Sequence, residues 1–132
     1  MTTAIFSLIS FGLWGFLSKL AVQHLSPYSI IVYEMIGVLI VGVVTLFLVD
    51  FKPDVNMKGI LLSIGIGICG TAGTLLFVHS IQKGSLSVVI TMTSLYPLIT
   101  IFLAYLFLGE FYSFKQILGI FFAILAIVLF AS

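Results

Sequence analysis

The sequence consists almost entirely of five long apolar stretches separated by short polar connections. A transmembrane helix needs about 20 mostly apolar residues. Hydrophobic residues make up 62% of this chain and charged residues only 7%, whereas a soluble domain carries about 25% charged residues. Stretches this long satisfy their backbone polar groups as helices rather than as barrel strands. The sequence therefore predicts an all-α membrane protein, a five-transmembrane-helix bundle forming one domain over residues 1–132, with spans at 4–22, 29–49, 58–80, 87–108 and 115–131.

The few charged residues limit the partners and weakly encode the orientation. A net charge of +1 gives no electrostatic reason to expect nucleic-acid binding. The start of the chain lacks a basic region and a small-residue cleavage site, so we interpret it as a first span rather than a signal peptide. Lys52, Lys58 and Lys115 lie on the side of the N-terminus and Lys83 on the other, which weakly favours a cytoplasmic N-terminus. So small a bias leaves insertion in both orientations open. Cys69 is the single cysteine and is interpreted as a packing residue.

Two charged residues inside the first two spans form the sharpest pattern. Lys19 shares a helical face with Gly12 and Gly15, with Trp14 on the opposite side. Lys19 lies about 7 residues before the predicted turn and Glu34 about 8 after it, so we expect both at a similar depth, roughly 10–12 Å below the turn. A lysine–glutamate pair would cost less to bury than either charge alone. A carboxylate within a span is usually functional, so Glu34 is also the leading substrate or coupling candidate. Lys19 can instead snorkel to the interface or contact substrate.

Small residues form a stripe along the third span. Gly67, Gly70 and Gly73 recur at a spacing that keeps them on one helical face. Small residues let membrane helices approach closely, so we predict a packing face, with a surface that slides during a conformational change as the alternative. Gly119 and Ala123 form a similar pattern in the fifth span, where an intramolecular contact and a dimer seam are equally open.

The fourth span is polar for a membrane helix and contains a proline at its middle. Pro97 lacks an N–H, which leaves the carbonyl of Thr93 unpaired and predicts a kink. Thr91 and Ser94 share one helical face, whereas Thr93 and Tyr96 share another. Freed backbone at this depth is tolerated where protein or a water-filled cavity satisfies it. One of these faces is therefore predicted to line a cavity, unless the kink serves packing alone.

The remaining polar and aromatic residues give weaker signals. Trp14 and Tyr96 are interpreted as aromatic walls of a cavity or as packing residues. His79, near the end of the third span, is either an interface residue or a group that titrates near neutral pH. Glu110 lies in a turn, where we expect it to cap or orient the last helix. His24 and His79 lack a ligand cluster, so no metal or cofactor is expected.

The last two spans carry a family resemblance. The stretch SLYPLITIFLAYLFLGEFYSFKQILGIFFAILAIVLF resembles the end of an EamA domain of the drug/metabolite transporter superfamily. The matching features are Pro97 in mid-span, the turn at 108–110, and Gly119 at the opening of the last helix. The segment LWGFLSKLA, which contains Trp14, is similar to the opening of that family. Many relatives have a basic residue near the start of the second span, where this chain has Glu34, so the relatives say little about its substrate.

The resemblance implies a transporter in the cytoplasmic membrane. Larger family members carry two such domains as inverted repeats around a central pathway, whereas this chain looks like one half. Consecutive copies with an odd number of spans insert inverted, and transporters of this architecture bind substrate near mid-membrane at the repeat interface. Our first hypothesis is an antiparallel homodimer that is a complete secondary transporter of a small organic metabolite. A dimer with a second five-span half is the variant.

The source of energy and the competing functions follow from the motifs. No ATP-binding motif is present, so a gradient or an exchange is expected to drive transport. Amino acids and other small polar metabolites suit the polar residues, and a hydrophobic cation fits nearly as well. The alternatives are a subunit of a hetero-oligomeric transporter or lipid-carrier flippase, and a membrane scaffold without transport. Catalytic motifs are absent, so an enzyme is not expected.

Overall fold

The computed structural model describes the backbone of residues 2–131 and the side chains of residues 2–129. The described residues form helices and no strand, which confirms the all-α prediction, and the helix ends lie within about three residues of the predicted spans. The helices are α1 (Thr2–Ala21), α2 (Pro27–Leu48), α3 (Met57–Lys83), α4 (Leu86–Thr93), α5 (Tyr96–Leu108) and α6 (Phe114–Ala131).

Most of these helices have the length and composition of membrane spans. Among the described residues, four segments are long and apolar enough to cross a bilayer. A fifth apolar helix, Phe114–Leu129, is shorter. The segments that qualify are Thr2–Ala21, Pro27–Leu48, Met57–Lys83 and Leu86–Leu108.

The chain divides into two compact units. Met1–Lys83 contains α1 to α3, and Gly84–Ser132 contains α4 to α6. In the first unit α3 packs against both α1 and α2, and in the second unit α4 packs against α6. That the whole chain acts as one domain stays a prediction.

The core of the first unit is small. The buried apolar side chains within the described range are Ile30 of α2 and Phe77, Val78 and Ile81 of α3, and Ser18 of α1 is buried beside them. The long apolar side chains elsewhere on these helices are largely exposed. A soluble monomer rarely exposes contiguous apolar surface on this scale. The unit therefore has the surface of a protein that lies in a bilayer.

Local sequence explains where several helices begin and end. Ser26 is the N-cap of α2 and accepts from the backbone N–H of Ser29 at 3.4 Å, and Pro27 occupies the first helical turn, where its missing N–H costs nothing. At the start of α3, the side-chain oxygen of Asn56 accepts a 3.0 Å hydrogen bond from a backbone N–H. The last residue of α5 is followed by Gly109, whose φ of 65° is the left-handed conformation that ends many helices.

The start of α6 corrects one expectation. Ser113 and Gln116 form a reciprocal cap, in which the backbone N–H of Ser113 donates to the Gln116 side chain at 2.7 Å and the Gln116 N–H lies 3.4 Å from the Ser113 hydroxyl. Glu110 was expected to cap or orient this helix. It does not form the cap, and its carboxylate accepts a 3.3 Å hydrogen bond from the Tyr112 hydroxyl. Partial burial, and then the charge and hydrogen bond of Glu110, raise the pKa of Tyr112.

The fourth span also differs from its prediction. A single kinked helix was expected around Pro97, but the segment is two helices interrupted at Ser94 and Leu95. The N–H of Leu95 bonds to the carbonyl of Met92, and the N–H of Leu98 to that of Leu95, so the chain tightens into three-residue turns there. Pro97 lies in the first turn of α5, where proline fits a helix start. The interruption thus lies directly before Pro97, where the kink was predicted, and Leu86–Leu108 as a whole has the length of a membrane span.

The predicted small-residue faces are open in this chain. A Cβ atom added at Gly67, Gly70, Gly73 or Gly119 would meet no heavy atom of the described structure within 4 Å. Ala123 is exposed as well. These residues therefore mediate no close packing within the described part of the chain. Their contact with another chain stays a prediction.

Candidate functional site

The carboxylate of Glu34 is hydrogen-bonded to the only tryptophan of the chain. Nε1 of Trp14 on α1 donates to Oε1 of Glu34 on α2 at 2.9 Å, and both side chains are half-buried. The two residues stand twenty positions apart in sequence and lie on consecutive helices. A charged acceptor makes this hydrogen bond stronger than one between neutral groups. The structure therefore provides a half-buried carboxylate within a candidate membrane span, with the indole N–H as its donor.

The turn between α1 and α2 determines this pairing. Residues 22–25 form a tight turn held by short-range backbone hydrogen bonds. The N–H groups of Gln23 and His24 donate to the carbonyls of Leu20 and Ala21, respectively. Trp14 lies seven residues before the end of α1 at Ala21, and Glu34 lies seven residues after the start of α2 at Pro27. Each is thus roughly 10 Å along its helix from the turn. The residues of the turn add little depth, whereas the estimate from the sequence gave each of them a full helical rise.

Lys19 lies elsewhere. It is two residues before the end of α1, roughly 3 Å from the helix end, so the expectation that it lies at the depth of Glu34 is wrong. Its Nζ donates a 2.7 Å hydrogen bond to the backbone carbonyl of Ile81. That carbonyl is among the last four of α3, which have no partner within the helix. An ammonium group beside a helix C-terminus also interacts favourably with the helix dipole.

Trp14 lies on the face of α1 that contacts α3. Its ring stacks on Phe77 with centroids 4.9 Å apart and planes inclined by 30°. Gly15 and Ser18 beside it are buried, and the Ser18 hydroxyl donates to the carbonyl of Trp14 at 2.8 Å. Trp14 and Lys19 are five positions apart, which is about 140° around α1, yet both side chains contact α3. Both residues reach the same face of α3, because their contacts there, Phe77 and Ile81, are four positions apart.

A groove between α1 and α2 contains the Glu34 carboxylate. Its volume is about 500 Å³, which falls in the range of small-molecule sites. The residues that line it come from α1, the turn and α2, and most are apolar. The full lining consists of Ser10, Leu13, Trp14, Leu17, Ser18, Ala21, Leu25, Ile30, Tyr33 and Glu34. The groove thus offers one carboxylate, two aromatic side chains and two serine hydroxyl groups in an otherwise apolar surface.

The other predicted site residues are not gathered at this groove. His79 is exposed on α3, and Thr91, Ser94 and Tyr96 belong to the second unit. The hydroxyls of Thr91 and Ser94 donate to carbonyls of their own helix, those of Ser87 and Ile90, at 2.7 and 2.8 Å. Such bonds satisfy a hydroxyl without any ligand. Their predicted contact with substrate stays a prediction.

Of the residues that line the groove, only Trp14 and Glu34 were predicted from the sequence as site residues. Phe77 holds the indole ring, yet nothing distinguishes it from the other phenylalanines of the chain. Ser10 precedes Trp14 by four positions and Tyr33 adjoins Glu34, so helical spacing alone would have placed Ser10 beside the tryptophan. The described residues contain no group of three or more histidine, cysteine or acidic side chains that can hold a metal ion.

Comparisons with known proteins agree with this architecture. The sequence model of the EamA-like transporter family matches residues 1–132. An uncharacterized protein of Methanocaldococcus jannaschii is 26% identical over 123 residues, which cover 92% of this chain and 88% of that protein. No solved structure matches the chain.

Proposed function

Because this chain belongs to the EamA-like transporter family, we propose that it is a secondary transporter of a small organic metabolite in the cytoplasmic membrane. The observation that carries the proposal is the half-buried Glu34 carboxylate in the groove between α1 and α2. Ionisable residues within membrane helices are costly, and they usually mark substrate or ion pathways. An embedded carboxylate that opens onto a ligand-sized groove is what such a pathway needs.

Glu34 is the proposed substrate-facing or coupling group. Its carboxylate has about four acceptor positions, of which the indole N–H of Trp14 occupies one. The remaining positions are open to a proton or to a donor group of the substrate. Trp14 orients the carboxylate, and Phe77 in turn holds the indole ring. This arrangement lets Glu34 exchange one partner for another while its side chain stays in place.

The proposed working unit is a dimer of inverted copies. The chain is predicted to be one five-span half of the family's inverted-repeat architecture, and a second copy in the opposite orientation would supply the other half. The glycines of α3 support this assembly, because Gly67, Gly70 and Gly73 meet no neighbouring atom of the described chain and small residues favour helix association in membranes. A second copy or a second five-span half would cover this face.

Transport into sealed vesicles tests the proposal. The purified protein is reconstituted with an internal pH-sensitive dye, and a panel of amino acids, nucleosides and quaternary ammonium compounds is added under an imposed proton gradient. We expect at least one compound to produce a proton flux or counterflow that Glu34→Gln abolishes. The glutamine keeps the shape of the side chain and a carbonyl acceptor for Trp14, but removes the charge.

Glu110→Gln is the matched control, because this carboxylate lies in the connection before α6 and outside the groove. It should transport like the unmodified protein. Equal transport by Glu34→Gln would remove Glu34 from the mechanism. No transport or counterflow of any compound, with correctly inserted protein, would favour a scaffold role instead.

A further inference from the structure

The lining of the groove contains an acidic side chain and no basic one. Of its ten lining residues, Glu34 is the single carboxylic acid, and no lysine, arginine or histidine lines the groove. Lys19, the nearest lysine along α1, donates to the carbonyl of Ile81 on α3. A ligand in the groove therefore meets a carboxylate without a lining cation beside it. This favours a positive group, because burying an unpaired negative charge is costly.

The body of the groove is apolar and aromatic. Leu13, Leu17, Leu25 and Ile30 are among its lining residues, and most of the groove surface is apolar. The ring of Trp14 is fixed by its stacking on Phe77, so it presents a preformed aromatic wall at low entropic cost. Aromatic faces attract organic cations, and more strongly where water is excluded. The surface thus suits an apolar or aromatic group that carries the positive charge.

From these two features we propose that the groove between α1 and α2 binds organic monocations with an apolar body, with the cationic head beside Glu34. The inference rests on the proposed function, since it assigns a substrate class to the same carboxylate. Amino acids and other zwitterions should bind less well, because the lining provides no positive group for their carboxylate. Neutral apolar molecules lack the attraction to Glu34.

Trp14 makes the test direct. It is the only tryptophan of the chain and lines the groove, so the intrinsic fluorescence of the full-length protein in lipid nanodiscs reports on the occupied site. The probes are benzyltrimethylammonium, phenylalanine and benzyl alcohol, which share a phenyl group but are cationic, zwitterionic and neutral. We expect a saturable change with the cation, and binding weaker by about tenfold with the other two.

Variants assign the effect to Glu34. Glu34→Gln should weaken cation binding by about tenfold, which corresponds to losing one interaction with a charged group. Glu34→Asp keeps the charge and should retain part of the affinity, and Glu110→Gln should bind like the unmodified protein. Calorimetry on the same samples gives the affinity independently of fluorescence, and circular dichroism confirms that each variant is folded.

Three outcomes would overturn the inference. Equal affinity for benzyl alcohol would mean an apolar occupant such as a lipid chain. Phenylalanine bound as tightly as the cation would mean a zwitterion site, and the absence of saturable cation binding by the folded protein would mean that the groove takes no cation. In each case vesicle transport with the wider panel decides the proposed function separately, so that the two failures are distinguishable.

Discussion

The ammonium group of Lys19 and the backbone carbonyl of Ile81 are joined by a 2.7 Å hydrogen bond. The side chain of Ile81 is fully buried, and its carbonyl lies in the last turn of α3. One lysine therefore connects the end of α1 to the end of α3. Its acceptor Ile81 lies four positions after Phe77, whose ring stacks on Trp14.

Removing this bond should destabilise the first unit. Lys19→Met keeps the length of the side chain but removes the donor, and we expect a loss of about 1–3 kcal/mol, the cost of leaving a sheltered carbonyl without its partner. Thermal unfolding in one fixed detergent, followed by circular dichroism, measures it. Lys52→Met in the exposed connection after α2 is the control. Equal midpoints for the two variants would show that the Lys19 bond contributes no stability.

The Trp14–Glu34 hydrogen bond should appear as a coupling between two substitutions. Trp14→Phe keeps an aromatic ring against Phe77 but lacks the indole donor, and Glu34→Met removes the acceptor. In a double-mutant cycle of unfolding free energies we expect a coupling of about 1 kcal/mol, modest because both side chains are half-buried. Trp14→Phe combined with Glu110→Met should be additive. A Trp14–Glu34 cycle as additive as this control would argue against the bond.

Two serines at helix starts should differ in their contribution. Ser113 forms side-chain cap bonds with Gln116 at the start of α6, whereas Ser85 is the N-cap of α4 without a side-chain cap bond. Ser113→Ala should cost about 1 kcal/mol and speed amide hydrogen exchange in the first turn of α6. Ser85→Ala should change neither quantity measurably. Similar effects at both positions would mean that the reciprocal cap is not formed.

The inverted-dimer proposal predicts two orientations in the membrane. Paired reporters that are active on opposite sides, fused to the C-terminus, should both give activity at comparable levels. The physical reason is the weak lysine bias between the two sides of the chain. Arginines added to the connection at 109–113 should force one orientation and abolish transport. Activity of only one reporter in the unmodified protein would exclude a self-made inverted repeat.

The helix bounds followed from the sequence because apolar length and polar breaks determine them. The Ser26-Pro27 and Leu108-Gly109 steps place helix ends through N-cap, proline and left-handed glycine preferences that act over a few residues. Pro97 predicted where the fourth span is interrupted, but not the form of the interruption. Its missing N–H is compatible both with a bend inside a helix and with the first turn of a new one, and only the neighbouring backbone distinguishes them.

The sequence pattern did not identify Trp14 as the hydrogen-bond partner of Glu34. The depth estimate gave every residue between Lys19 and the turn a full helical rise, whereas α1 ends at Ala21. Because of this error of about one helical turn, Lys19 was predicted at the depth of the carboxylate, where the structure has Trp14. The contact of Trp14 with Phe77 depends on how α3 packs against α1, and spacing within one helix carries no information about it.

The position at which α2 begins, after the connection at 22–26, determines where the Glu34 carboxylate lies in the groove. One residue inserted into α2 before Glu34 would shift the carboxylate by about 1.5 Å and rotate it by about 100° around the helix, away from the indole. A residue added within the connection has freedom to bulge out and leave the register intact. Insertions in this region should therefore be harmful if they change the number of residues between the start of α2 and Glu34, and tolerated if they do not. This holds although, of the residues in the connection, only Leu25 lines the groove.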